Sequence, residues 1–208
     1  MTKFQQLLAY KAFGYEFVDD ELLNLEKKSY FQSLDDLRLN LKTCELCNLS
    51  KSRTNTVFSK QLNAKLMIIR LYPNKFEDKS GKVADINSKF KEKLLQYTCL
   101  GEDEIYVSYL VKCLCTSKVV DDFIYKCSPY AFDEIEKINP KIIITMGDIC
   151  SKTILKDKNL PNLEISHGSI FRENKRFILP FFDVDFILSN PSKIEIFNED
   201  LKKIKELL

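Results

Sequence analysis

Four short, almost uninterrupted apolar runs constrain this chain most: AKLMIIRLY (64–72), EIYVSYLV (104–111), PKIIITMG (140–147) and RFILPFF (176–182). Runs of this length without strict alternation are expected of strands buried on both faces, and their β-branched and aromatic content favours strand over buried helix. Between them the spacing turns helical. Phe90, Leu94, Leu95 and Cys99 fall on one helical face, as do Phe123, Cys127, Phe132 and Ile135 in a segment from Val120 to Ile138, where Pro129 should kink the helix or mark its start. A last helix is expected from about Ser192 to Leu208. Strands alternating with helices imply an α/β fold: three layers, α/β/α, around a central, mostly parallel four-stranded sheet. In such sheets ligands sit beyond the carboxyl ends of the strands, here after Tyr72, Val111, Gly147 and Phe182.

Ahead of the first run, apolar positions at helical spacing (Phe4, Leu7, Leu8, Tyr10; Leu22, Leu23, Leu25; Leu34, Leu37, Leu39, Leu41) predict two or three short helices. Ser33 followed by Asp36 predicts the cap that opens the last of them. The expected organisation is an N-terminal helical extension, residues 1–42, packed on a core domain of residues 43–208. No run approaches the roughly 20 apolar residues of a membrane span and no export signal is read at the N-terminus, so a cytoplasmic protein is expected. A net charge of +2 announces no partner by itself.

Seven cysteines, an odd number in a chain expected to face a reducing compartment, argue against a disulfide framework. Cys44 and Cys47 form a C-x-x-C. Cys113 and Cys115 follow the second strand directly, and Cys127 stands at the start of the next helix. Cys44, Cys47, Cys113 and Cys127 can form a four-thiolate site, suited to zinc or to an iron-sulfur cluster. Cys99, Cys115 and Cys150 read as buried apolar side chains.

The segment CELCNLSKSRTNTVF resembles the opening signature of the iron-sulfur uracil-DNA glycosylases of families 4 and 5. The likeness continues through AKLMII with Pro73, EDKSG, IYVSYLVKC and CSPYAFDEIEKINPKIIITMGD, from about Thr43 to the C-terminus. It implies a 4Fe-4S cluster on Cys44, Cys47, Cys113 and Cys127, with zinc as the alternative. It also implies DNA as partner, with Arg53, Pro73, Tyr109, Lys112 and Lys193 as residues meeting DNA or base. Lys51, Lys60 and Lys118 are further cations near the expected site. A monomer is expected, and a protein partner stays open.

Against the family's catalytic pattern the chain departs three times. RLYPN (70–74) replaces Gly-Glu-Ala-Pro-Gly, and no aromatic follows Gly81. Tyr109 stands where the family reads uracil with an Asn, and a phenol lacks the paired donor and acceptor of an amide. Asp183 stands where a His donates to the departing oxygen, and a carboxylate there repels the anion it should stabilise. The remaining candidates for acid-base work are Glu77, Asp78, Asp183 and His167, the only histidine. Glu77 and Asp78 could position water or form a solvated turn. The reading is an iron-sulfur DNA-binding protein with weak or no uracil excision. Its alternatives are an active glycosylase with non-standard residues and a non-enzymatic interaction module.

Overall fold

Leu66–Arg70 (β1) lies inside the sheet, and its side chains alternate between two cores. A computed structural model describes residues 12–14, 31–84, 88–116 and 121–208. The chain divides between Gln32 and Ser33 into two compact units. In the first, Gly14 takes a left-handed turn conformation. The helices expected around Phe4 to Tyr10 and Leu22 to Leu25 lie outside the described residues, as does Lys118. The second unit carries the sheet and also Leu34–Lys42 (α1), the helix expected in the extension. Ser33 caps α1 by accepting from the Asp36 N–H, as its spacing predicts.

The remaining elements are α2 (Lys75–Ser80), α3 (Ser88–Thr98), β2 (Ile105–Tyr109), α4 (Asp121–Ile138), β3 (Ile142–Met146), α5 (Asp148–Ile154), α6 (Leu163–Ser166), β4 (Phe171–Glu173), β5 (Arg176–Phe181), α7 (Val184–Ser189) and α8 (Ile194–Leu207). The sheet has five strands in the order β2-β1-β3-β5-β4. The first four are parallel and β4 is antiparallel to β5. The expected four strands are all present. The fifth, β4, is three residues long at the sheet edge, too short for a periodic signal, and turns into β5 through Asn174 in left-handed backbone.

Because β1 is flanked by β2 and β3, every second residue of each strand joins the same core. Leu66, Ile68, Val107, Ile144 and Leu179 meet Phe90 and Leu94 of α3 and Phe197, Leu201 and Ile204 of α8. Met67, Ile69, Tyr106, Ile143 and Ile178 meet Ala131 and Ile135 of α4 and Ile154 of α5. These are the three layers that the apolar runs imply, each buried Leu or Ile contributing roughly 1.5–3 kcal/mol.

Two sequence expectations are corrected. Pro129 does not begin α4: the helix runs through it, and the carbonyl that loses its partner belongs to Tyr125, whose side chain is exposed. Cys99 is not in a helix core. It follows the last residue of α3 in left-handed backbone (φ 56°) and is exposed.

The order reverses between β1 and β3, which opens a crevice at their carboxyl ends. Gly147 makes the turn there with φ 90° and ψ 157°, a conformation reserved for glycine, and donates to the Phe181 carbonyl at 2.9 Å. Gly147→Ala is expected to cost about 1–3 kcal/mol, read as a lowered midpoint in urea; an unchanged midpoint counts against the strained turn.

Candidate active-site cleft and thiol cluster

At the reversal point a cleft of about 530 Å³ is lined by Arg70, Tyr72 and Asn74 after β1, by Met146, Gly147 and Asp148 after β3, and by Asp183 and Asp185 after β5. Its charge is unbalanced: Asp148, Asp183 and Asp185 face one cation, Arg70. Asp183 begins α7, its carboxylate accepting from the Asp185 N–H at 3.0 Å. The Asp148 carboxylate accepts from the Leu163 N–H at 3.0 Å.

Beneath the cleft lies the second departure, Tyr109, with 1% of its surface exposed. Its hydroxyl donates to Glu77 Oε1 at 2.5 Å. Burial, then the Glu77 charge, pushes the phenol's pKa well above its ordinary value, so it stays a donor. Glu77 is fully buried. It also accepts from the backbone N–H of Asn74 (2.7 Å) and of Ala84 (3.0 Å), while Arg70 stands 3.5 Å away. Asn74 Oδ1 in turn accepts from the Glu77 N–H, closing a capping box at the start of α2.

Tyr109, Ala84 and Arg70 converge on Oε1, while Oε2 accepts from the Asn74 N–H alone. Asp78 is buried too: it is 3% exposed, and its two oxygens share the Thr54 N–H at 3.1 and 3.2 Å. The solvated-turn alternative for this pair is therefore corrected: both side chains are buried, and they fasten the loops at 54, 74 and 84. Pro73 is buried beside this pair.

His167 lines neither this cleft nor the adjoining hollow beside Phe182 and Phe186. Its Nδ1 lies 2.7 Å from Asp200 and its ring 5.2 Å from that of Phe182. Lys193 stands over Phe182 and pairs with Glu164. Lys112 is corrected outright. It is 2% exposed, and its Nζ donates to Ser108 at 2.7 Å and to Glu134 at 2.5 Å. Glu134 also accepts from Tyr106 at 3.2 Å and from Ser108. A cation so enclosed offers nothing to a phosphate.

Cys113, Cys115 and Cys127 share one buried cluster with Cys47 packed against it, and Cys44 and Cys47 line one surface cavity. Cys44 and Cys47 lie in the link between α1 and the 3-10 turn Asn48–Lys51, Cys113 follows β2, and Cys127 lies on α4. Cys113 and Cys127 are buried; Cys44 and Cys47 are half-buried. The Cys113 thiol is raised by burial, opposed by Arg53, and raised further by Cys47 and Cys44. Cys127 is pushed up to about 12, first by burial, with Cys113 and Cys47 adding to it. Cys44 and Cys47 thus act on Cys113, and Cys47 and Cys113 act on Cys127. Tyr130, one helical turn beyond Cys127, hydrogen-bonds Cys44.

N–H groups already point at sulfur: the Lys112 backbone N–H donates to Cys127 at 3.3 Å and Arg53 Nη1 to Cys113 at 3.6 Å. Such donors are what thiolate ligands of a cluster accept. Among the described residues no three Cys, His or carboxylate groups stand close enough to hold one metal ion. Arg53 is otherwise spent on the carbonyls of Leu41 (3.1 Å), Lys42 (2.8 Å) and Cys44 (3.4 Å), closing the end of α1. It is a tether of the cysteine loop, not a free phosphate ligand.

Sequence reasoning missed Glu134, Tyr130, Asp148 and Asp185. Helical spacing held a signal for the first two, since Cys127, Tyr130, Ala131, Glu134 and Ile138 project toward the sheet and thiols. It held none for the aspartates, which only the strand order gathers.

Comparison with known proteins bears on this arrangement. The chain is 28% identical over 186 residues to the type-4 uracil-DNA glycosylase of Sulfurisphaera tokodaii, covering 84% of each chain. It is 29% identical over 187 residues to that of Saccharolobus solfataricus, covering 85% of this chain and 87% of the relative. With that of Archaeoglobus fulgidus the identity is 25% over 186 residues, covering 85% and 94%. Residues 57–207 match the model of the uracil DNA glycosylase superfamily; with its parallel sheet and strand-end cleft, the chain belongs to that superfamily.

Proposed function

We propose that this chain is an iron-sulfur DNA-binding protein of the superfamily with little or no uracil excision. One observation carries the reading: the phenol of Tyr109, which the resemblance aligns with a base-reading Asn, is buried and locked on Glu77 at 2.5 Å. Excision needs a pocket that accepts a flipped base, groups that read its edge and stabilisation of the departing anion. Here Tyr109 stands in place of the aligned Asn, Glu77 is buried and takes bonds from Tyr109, Asn74 and Ala84, and Asp183 and its neighbours make the cleft acidic. A DNA partner follows from the relatives, which are named for acting on uracil-DNA.

Cys44, Cys47, Cys113 and Cys127 would hold a 4Fe-4S cluster. When bound, it supplies a cross-link between three separate segments. Arg53, the Lys112 N–H and Tyr130 orient the sulfurs and share their charge.

The test combines two measurements. Protein purified without oxygen is expected to be brown, with roughly four iron and four sulfide per chain, both lost in Cys127→Ala. A colourless protein carrying one zinc overturns the cluster. The same preparation is expected to leave uracil in single- and double-stranded oligonucleotides intact beside the Sulfurisphaera tokodaii enzyme. Release of uracil at a comparable rate overturns the reading of the cleft.

A further inference from the structure

The strand-end cleft is a poor place for a phosphate, with three carboxylates to one guanidinium. Across α2 the balance reverses. A groove of about 740 Å³ runs between α1, the loop 53–60 and the end of α2, and no Asp or Glu lines it. Arg38, Lys42 and Lys60 do, with the hydroxyls of Thr54 and Ser80 between them. Phe58 is bridged to Lys82, bringing another exposed cation alongside. Among the described residues Lys42, Lys60 and Lys82 enter no ion pair, unlike Lys112 and Lys193.

The groove is also built in advance. Arg38 donates to the Ser59 carbonyl at 2.7 Å and lies over the Phe58 ring. The Thr54 N–H is fixed on Asp78, and Asn55 Nδ2 bonds the carbonyls of Asp78 (2.9 Å) and Lys79 (3.0 Å). One wall is therefore bolted to α2. This six-residue helix spans about 9 Å and has the cleft at its first turn and the groove at its last. Free lysines among hydroxyls on a fixed wall form the usual arrangement for neutralising a phosphodiester backbone.

We propose that this groove, rather than the strand-end cleft, holds the backbone of bound DNA, with Lys42 and Lys60 as phosphate contacts. The proposal rests on the DNA-binding reading above and names its surface. Arg53 also lines the groove but is spent on the carbonyls of Leu41, Lys42 and Cys44, while Lys112 and Lys193 lie outside it, paired with Glu134 and Glu164.

The test measures binding of the cluster-loaded full chain to fluorescent single- and double-stranded oligonucleotides by anisotropy, over a salt series. Lys42→Glu with Lys60→Glu is expected to weaken binding on the order of tenfold or more at low salt and to flatten log K against log salt. Losing two contacts lowers the slope by about 1.8 on duplex or about 1.4 on single strand. Lys205→Glu on α8, which lines neither cavity, is expected to change neither the affinity nor the slope by a comparable amount. Lys42→Gln with Lys60→Gln repeats the measurement without reversing charge, and iron content and melting temperature report whether each variant is intact. Wild-type binding that survives both double variants overturns the groove while leaving the DNA-binding reading standing. No binding by wild type at low salt overturns both.

Discussion

Glu77→Ala is expected to cost about 3–5 kcal/mol, the usual penalty for deleting one member of a buried charged network. For a domain of this size that lowers the melting temperature by roughly 6–20 °C. The alanine leaves Arg70 without its counter-charge and strands the Tyr109 hydroxyl and the N–H groups of Asn74 and Ala84, all now directed at the carboxylate. Arg70 is already under-satisfied, because its Nε is buried without a partner. Glu77→Gln keeps the volume but points an amide NH₂ at some of those donors, at about 1–3 kcal/mol. Urea midpoints of both variants check the ordering. A loss under about 1 kcal/mol in the alanine variant would mean that the carboxyl is free for chemistry, keeping it as a candidate base.

Lys112→Ala is expected to be as damaging, about 3–5 kcal/mol, because it abandons Glu134 in a site where both partners are 2% exposed. Replacing the pair by apolar residues, Lys112→Met with Glu134→Leu, should recover much of the loss, since a buried pair exchanged for packed hydrocarbon is often near neutral. The double variant separates structure from recognition. Its DNA affinity and salt slope are expected to match wild type; a slope lowered by about 0.9 would show that Lys112 had been touching a phosphate.

These two sites show where reading the chain stops. The strands were legible because burial on both faces leaves an uninterrupted apolar run, as in Leu66–Arg70 and Ile142–Met146. The C-x-x-C was legible from its spacing; that Cys115 shares a buried cluster with Cys113 and Cys127 was not. Charged side chains carry no such mark. Lys112 after a strand looks like any surface lysine until Glu134, 22 residues away, arrives on the inner face of α4. Glu77 and Asp78 look like a turn until Tyr109 and Thr54 converge on them. The basic groove needed α1 against the loop 53–60, so Arg38 and Lys42 stood outside any motif.

By itself the amino-acid sequence determined the layers and the mostly parallel sheet, because apolar periodicity acts through local geometry. Only the tertiary structure decided which charges are spent inside and which remain for a ligand. That choice depends on desolvation and on partners brought together across the strand order, neither of which a position in the chain reveals.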